Sequence, residues 1–206
     1  MSPSYTCSNA QGRFSTANVI AAQWNSRRSR SSNTAAGQRS GTRVHNRRMH
    51  FRPATDADLD ELVTVQAEAS VAALADVFPQ ATHPFPHAEI RERWQAELAD
   101  PDVAAYVSSG SSGSAGRVTG FAARRRDELL HFGTAIDTWG TGLAADLLEA
   151  LVDTYPPGTD RIWLTVFERN PRARRFWEKH GWAPTGRSSR TQYPPHPVLL
   201  EYELLR

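Results

Sequence analysis

The residues of this chain whose types and spacing could do chemistry gather between Glu128 and Ala150. An apolar run (Leu129, Leu130, Phe132, Ala135, Ile136) leads into Thr138-Trp139-Gly140-Thr141-Gly142, after which Leu143, Leu147, Leu148, Leu151 and Val152 fall on one helical face. A strand that passes through glycines into a helix start aims several backbone N–H groups, and the positive end of the helix dipole, at one point. Glycine has no Cβ, so a ligand can approach the backbone closely there. The turn therefore suits a phosphate-bearing ligand. Two ionisable side chains precede it: Glu128, just before the strand that feeds the turn, where it could equally end a solvated turn after Arg124-Arg125-Arg126-Asp127, and His131, on that strand. An unperturbed histidine titrates near pH 6.5, a range that suits a proton acceptor at neutral pH.

The elements that must position this turn are legible on either side of it. His50 to Ala54 reads as a short first strand. Thr55 or Asp56 can cap a helix whose apolar face is Leu59, Leu62, Val63, Ala69, Val71 and Leu74. The proline-rich stretch Pro79 to Pro86 breaks it, and a second helix runs from about His87 to Ala99. Val103 to Ser108 and Val118 to Arg124 form a hairpin whose tip is the flexible run Ser109 to Gly116, and Leu129 to Ile136 is the fourth strand. The helix from Gly142 stops at Tyr155-Pro156-Pro157-Gly158. Ile162 to Phe167 is apolar on both alternating faces, as a buried central strand should be. Asn170 can cap the next helix, Pro171 suits its first position and Gly181 the residue past its end. Strands near Trp182 to Gly186 and from Val198 to Leu205 complete an α+β pattern without internal repeats.

Composition divides the chain in two. Residues 1–50 hold eight Arg and no Asp or Glu, whereas residues 51–206 hold sixteen Lys and Arg against twenty-two Asp and Glu, a net of −6. The overall pI near 9.0 therefore describes the tail, and nucleic acid is not an expected partner of the domain. Residues 1–48, rich in Ser, Asn and Arg, are expected to be a disordered extension, with the folded domain at 49–206. Three readings of the extension stand: an organelle transit peptide, a basic arm, or an over-extended translation start. Met49, the only methionine besides Met1, favours the last. The lone cysteine, Cys7, rules out a disulfide within the chain and fits a reducing, cytoplasmic setting. No apolar run approaches the roughly 20 residues that cross a bilayer, so no membrane partner is expected.

Two blocks carry a resemblance to a known family. The run Trp139-Gly140-Thr141-Gly142-Leu143-Ala144 resembles the acetyl-CoA motif Q/R-x-x-G-x-G/A of the GNAT superfamily of N-acetyltransferases, with Trp139 where the polar residue is expected. Asn170 to Trp182 resembles the family's N-x-x-A-x-x-F-Y-x-x-x-G-F. The resemblance covers about residues 50–206. It implies a mixed, mostly antiparallel sheet of about 6–7 strands flanked by about four helices. It also implies transfer of an acetyl group from acetyl-CoA to a primary amine of a small molecule or protein, by a monomer or homodimer.

Within it, Gly140, Thr141, Gly142, Leu143, Ala144 and Ala145 would hold the pyrophosphate through backbone N–H groups. Phe132, Gly133 and Thr134 would pair their backbone with the pantetheine arm, and Trp139 and Trp177 would border the cofactor. Asn170 would be a further contact, a plain helix cap, or both. Glu128, fourteen residues before Gly142, matches the place of a strand glutamate that acts as base in several members. His131 is the other candidate; it lies on the opposite face unless a bulge changes the parity. The family's thiolate-protonating tyrosine is replaced by Trp177, whose indole is no acid in this range. Tyr193, in the loop before the last strand, is the possible stand-in. Phe85, Arg187, Arg190 and Tyr193 could bind an amine carrying a ring or a carboxylate. His83 and His87 are kept apart by prolines, and no metal site is expected.

Two other functions compete. Gly140-x-Gly142-x-x-Ala145 also fits a dinucleotide fingerprint, which requires successive βαβ units around it. A non-catalytic acyl-CoA-binding module would keep the turn and lack the chemistry.

Overall fold

The computed structural model describes residues 49–110 and 116–206, together with the strand dipeptide Asn18–Val19. The rest of the extension expected at 1–48, and the hairpin tip at 111–115, lie outside the described residues. The elements are β1 (Asn18–Val19), β2 (His50–Pro53), α1 (Leu59–Ala73), α2 (His87–Ala99), β3 (Val103–Ser109), β4 (Val118–Arg125), β5 (Glu128–Thr134), α3 (Leu143–Val152), β6 (Arg161–Phe167), α4 (Pro171–Lys179), β7 (Ala183–Arg190) and β8 (Val198–Leu205). They form one sheet in the order β2-β3-β4-β5-β6-β8-β7, with β1 added against β5. Every neighbouring pair is antiparallel except β5–β6 and β1–β5. This is the expected mixed, mostly antiparallel α+β sheet with four flanking helices.

Each face of the sheet buries its own core. On one, Ala122, Leu129 and Phe132 pack against Leu147, Leu148 and Leu151 of α3 and Ala173 and Trp177 of α4. On the other, Val107, Phe121 and Leu130 meet Leu59, Leu62 and Val63 of α1 and Ile90 and Trp94 of α2. Fully burying one such side chain contributes about 1.5–3 kcal/mol. Trp94 is sealed without an orphaned donor, because its Nε1–H donates to Gln66 Oε1 at 2.6 Å. The entry to α1 is pinned by Asp58, which accepts from Arg52 Nη2 at 2.6 Å and from the Thr55 N–H at 2.8 Å. The hydrogen bonds from Arg52, ahead of those from Thr55, hold its carboxyl down to about 2.

Boundaries differ from the expectation where packing rather than propensity decides them. β5 starts at Glu128 and ends at Thr134, because Ile136–Thr138 turns off as a 3-10 segment. β7 runs to Arg190 rather than stopping at Gly186. It is an exposed edge strand whose Ser and Arg residues show no alternation, so β8 alone defines it. Two glycines are fixed by close approach. A Cβ on Gly133 would lie 2.5 Å from the Phe121 ring, and one on Gly120 would lie 2.7 Å from Ser108 Oγ. Gly133→Val should therefore lower unfolding free energy by about 1–3 kcal/mol through overpacking. Gly110→Ala, where nothing lies within 4 Å, should stay within about 0.5 kcal/mol. Urea denaturation of the two variants checks this; equal midpoints would show that Phe121 moves aside freely.

Candidate active site

The glycine turn forms as its residue types demand. After β5 the chain passes through the 3-10 segment and reaches Gly140 at φ 81° and Gly142 at φ 98°, both left-handed conformations that favour glycine. Gly142 is the N-cap of α3, and the space where its Cβ would stand holds nothing within 4 Å. Its carbonyl accepts from Ala145 and Asp146, and Thr141 N–H donates to the Thr138 carbonyl, so of the amides expected to hold a phosphate those of Thr141 and Ala145 are spent within the turn, and those of Leu143 and Ala144 have no main-chain partner. Leu143 N–H makes only a 3.4 Å contact with Thr141 Oγ1.

Trp139 is half-buried beside this turn. Its Nε1–H donates to the Thr134 carbonyl at 3.1 Å, and the Arg172 guanidinium lies 4.1 Å from its ring centroid. Burial, and then the like charge of Arg175, push Arg172 down to about 10, so it remains a cation at neutral pH. Arg172 was not singled out in the sequence. The one signal for it was the tryptophan at a motif position where a polar residue is expected.

β5 and β6 share one pair, Glu128 with Trp163, and then separate. On its other edge β6 stays paired with β8 from Arg161 to Phe167. Beyond Glu128, the flank of β5 that faces the gap pairs, among the described residues, with Asn18 and Val19, opposite His131 and Phe132. An extended segment thus fits in the gap. Phe132 turns its ring into the core, 5.8 Å from Phe176 and 5.3 Å from Trp177, so it offers the gap only its backbone. Buried donors without protein partners lie nearby. Asn170 caps α4 by accepting from Ala173 N–H at 3.1 Å, yet its Nδ2 has no hydrogen-bond partner among the described groups, and neither do Thr134 Oγ1 and Trp177 Nε1. Trp177 is itself core, fully buried between Phe132, Phe176 and Trp182.

The three proton-transfer candidates do not converge. The register between β4 and β5 shifts so that Leu130 is an extra residue, and Glu128 and His131 pair with Arg125 and Ala123, both on the α2 side of the sheet. The bulge therefore brings His131 onto the face of Glu128. His131 is fully buried there, its Nε2 2.7 Å from Glu97 Oε2 of α2 and its ring 4.6 Å from Trp94. Burial pushes its pKa below the ordinary value, against the pull of Glu97, so the ring is neutral and Nε2–H donates to the carboxylate. Burial alone would raise the Glu97 carboxyl; the His131 N–H, Arg93 and Arg125 outweigh it and hold the carboxyl below its ordinary range. Glu128 is half-buried at the closed end of the gap, about 20 Å of strand from Thr134. Tyr193 lies elsewhere, in the wall of a cavity between α1, the start of α2 and the loop before β8. Among the described residues no cluster of His, Cys, Asp and Glu could hold a metal ion, and no helix is long and apolar enough to cross a membrane.

The comparisons with known proteins fit this geometry. Residues 48–183 match the family model of the acetyltransferase (GNAT) domain. The chain belongs to the GNAT acetyltransferases, and so to the acyltransferases. No curated protein sequence matches it. Among solved structures, a spermidine N-acetyltransferase from Vibrio cholerae, in complex with CoA and spermine, is similar with a TM-score of 0.56 at 14% identity over 76% of this chain and 95% of that one. The ribosomal-protein-S18-alanine N-acetyltransferase from Escherichia coli gives 0.56 at 20% identity, over 77% and 94%. A GCN5-related N-acetyltransferase from Rhodopseudomonas palustris gives 0.59 at 16%, over 77% and 96%. At such identities the likeness is one of fold. The dinucleotide reading falls, because β2 to β5 reach the glycines through antiparallel neighbours rather than βαβ units.

The His131–Glu97 pair has a measurable consequence. Below about pH 6.5 the unfolded chain takes up a proton that the folded ring does not. Stability should therefore decline as pH falls through that range, and His131→Gln should remove this part of the slope. An NMR titration that placed the ring at or above its ordinary value would refute the assignment.

Proposed function

We propose that the chain transfers an acetyl group from acetyl-CoA to a primary amine of a small molecule or protein. The observation that carries this reading is the gap between β5 and β6, which ends at the glycine turn and the start of α3 and is bordered by buried donors lacking protein partners. The residues fit such a co-substrate. The amides of Gly140, Gly142, Leu143 and Ala144 and the α3 dipole suit a pyrophosphate, and Arg172, held over Trp139, adds a cation beside them. Asn170 Nδ2 and Thr134 Oγ1 suit acceptors along a pantetheine arm that pairs with β5 as an added strand does.

Bound acetyl-CoA supplies an activated thioester carbonyl. An amine of unperturbed pKa about 10.4 arrives as an ammonium and must lose a proton before attack. An arm extended from Thr134 toward the bulge at Leu130 points to Glu128 as the acceptor of that proton, directly or through water. His131, sealed under α2, is assigned to holding the bulge. Backbone N–H groups freed by the bulge can polarise the carbonyl. Trp177 can donate a hydrogen bond to the departing sulfur but no proton, which leaves water or Tyr193 to supply it.

Calorimetry with acetyl-CoA and thiol release with an amine panel test the reading. Binding without thiol release from any amine would favour the acyl-CoA-binding module instead. Arg172→Ala should weaken acetyl-CoA about tenfold and flatten the salt dependence of binding, and Arg172→Lys should recover it only in part because lysine stacks less well. Glu128→Gln should lower kcat by about 10²–10⁴ and remove the acidic limb of the pH–rate profile, with acetyl-CoA affinity unchanged.

A further inference from the structure

Apart from Tyr193 itself, the cavity that holds it is not used by the reading above. It encloses about 260 Å³ between the end of α1, the Phe78–Pro86 loop, the start of α2 and Tyr193-Pro194. Its walls tie it to both strands of the gap. Leu74 packs with Phe167, at the end of β6, and the Phe78 ring meets Phe167 edge-on at 5.3 Å. Ile90, Phe85 and Tyr193 belong to the cluster that contains Leu130 and Ala135, in and just after β5. The cavity therefore lies on the α1–α2 side, over the open end of the gap and across the sheet from α3.

Its chemistry is selective. The lining is predominantly aliphatic, aromatic and proline, and no Lys or Arg contributes to it. The two cations that the sequence offered for a substrate carboxylate are engaged elsewhere: Arg187 pairs with Glu201, and Arg190 donates to the His196 carbonyl at 3.0 Å. The Gln80 side chain is spent on the loop itself, accepting from Phe85 N–H and donating to the Phe78 carbonyl at 3.0 Å each. Glu89, exposed at the rim, is the single carboxylate. An apolar cavity of about 150 Å³ holds benzene, so this one has room for a ring and a short tether.

Resting on the acetyltransferase reading, we infer that the acceptor is a primary monoamine with a flat apolar body, an arylalkylamine in chemical class, whose body fills this cavity while its amine points into the gap. The Glu89 carboxylate attracts the ammonium at the rim and repels an acceptor that carries its own carboxylate. A polyamine would place further cations against apolar walls that cannot pair them. In the transfer, the ammonium gives up one proton, its nitrogen bonds to the acetyl carbonyl carbon, and the nitrogen then loses a second proton. The carbon–sulfur bond breaks, and the sulfur leaves with the bonding pair and takes up one proton. The products are the amide and CoA thiol, with one proton released overall.

The test uses the full chain with acetyl-CoA and four acceptors: 2-phenylethylamine, phenylalanine, spermidine and an alanine-ended peptide. The expected kcat/KM for phenylethylamine exceeds that for phenylalanine at least 100-fold and those for the other two at least tenfold. Glu89→Lys, a surface change, should narrow the ratio of phenylethylamine to phenylalanine at least tenfold, and Phe85→Ala should raise KM for phenylethylamine while leaving KM for acetyl-CoA unchanged. Equal or better use of spermidine or the peptide overturns the acceptor class and leaves the transferase reading standing. If no acceptor releases thiol, calorimetry of phenylethylamine with CoA present decides. Binding that Glu89→Lys weakens supports the cavity assignment, and no binding overturns it.

Discussion

The architecture turns on the separation of β5 from β6. Two parallel neighbours in a sheet normally share a continuous ladder, but here β5 and β6 share the pair Glu128–Trp163 and then part, while each keeps the ladder on its other edge, β5 with β4 and β6 with β8. Backbone groups on the facing edges are costly if buried unpaired and are therefore available to any extended chain that can bond to them. Asn18–Val19 does so against His131 and Phe132, which makes the segment a competitor for whatever else pairs there. Every polar feature of the candidate site is arranged around this wedge. The glycine turn stands at its mouth, Asn170 and Thr134 place unsatisfied buried donors along it, and Trp177 seals its floor.

The departure of Trp139 from the family pattern has a physical counterpart in the fold. A polar side chain at that position would bring its own donors to the turn. An indole brings a flat electron-rich face, and Arg172 from α4 occupies it at 4.1 Å while the indole N–H is satisfied by the Thr134 carbonyl. A positive group stands beside the turn even though the motif residue has none. The guanidinium is held there against burial and the like charge of Arg175, a cost the tryptophan face offsets.

The parts that were legible in the sequence are those set by local chemistry. The glycine turn ahead of α3 stands where its residue types put it, and Asn170, Pro171 and Gly181 marked the two ends of α4 correctly. The apolar run Ile162 to Phe167 was the buried strand its composition implied. What was not legible depends on residues distant in the chain. The register shift that makes Leu130 an extra residue arises from pairing with β4 and leaves no mark in the sequence of β5 itself. Glu97 was one of several charges on α2 until packing set it against His131. The polar strand β7 carries no apolar alternation, so only its partner reveals its length.

The sheet also separates two electrostatic environments. On the side of α3 and α4, the starts of both helices and Arg172 and Arg175 bring positive potential to the glycine turn. On the side of α1 and α2, the cavity is walled mainly by apolar groups, with Ser70, Gln80, Thr82 and His83 among them, and carries one carboxylate and no Lys or Arg. The two faces thus favour opposite charges, and the gap where β5 and β6 part lies between them. A continuous sheet would keep the two environments and lose the gap. This ties the missing hydrogen bonds of the β5–β6 pair to the use of both faces, rather than to any single side chain within the site.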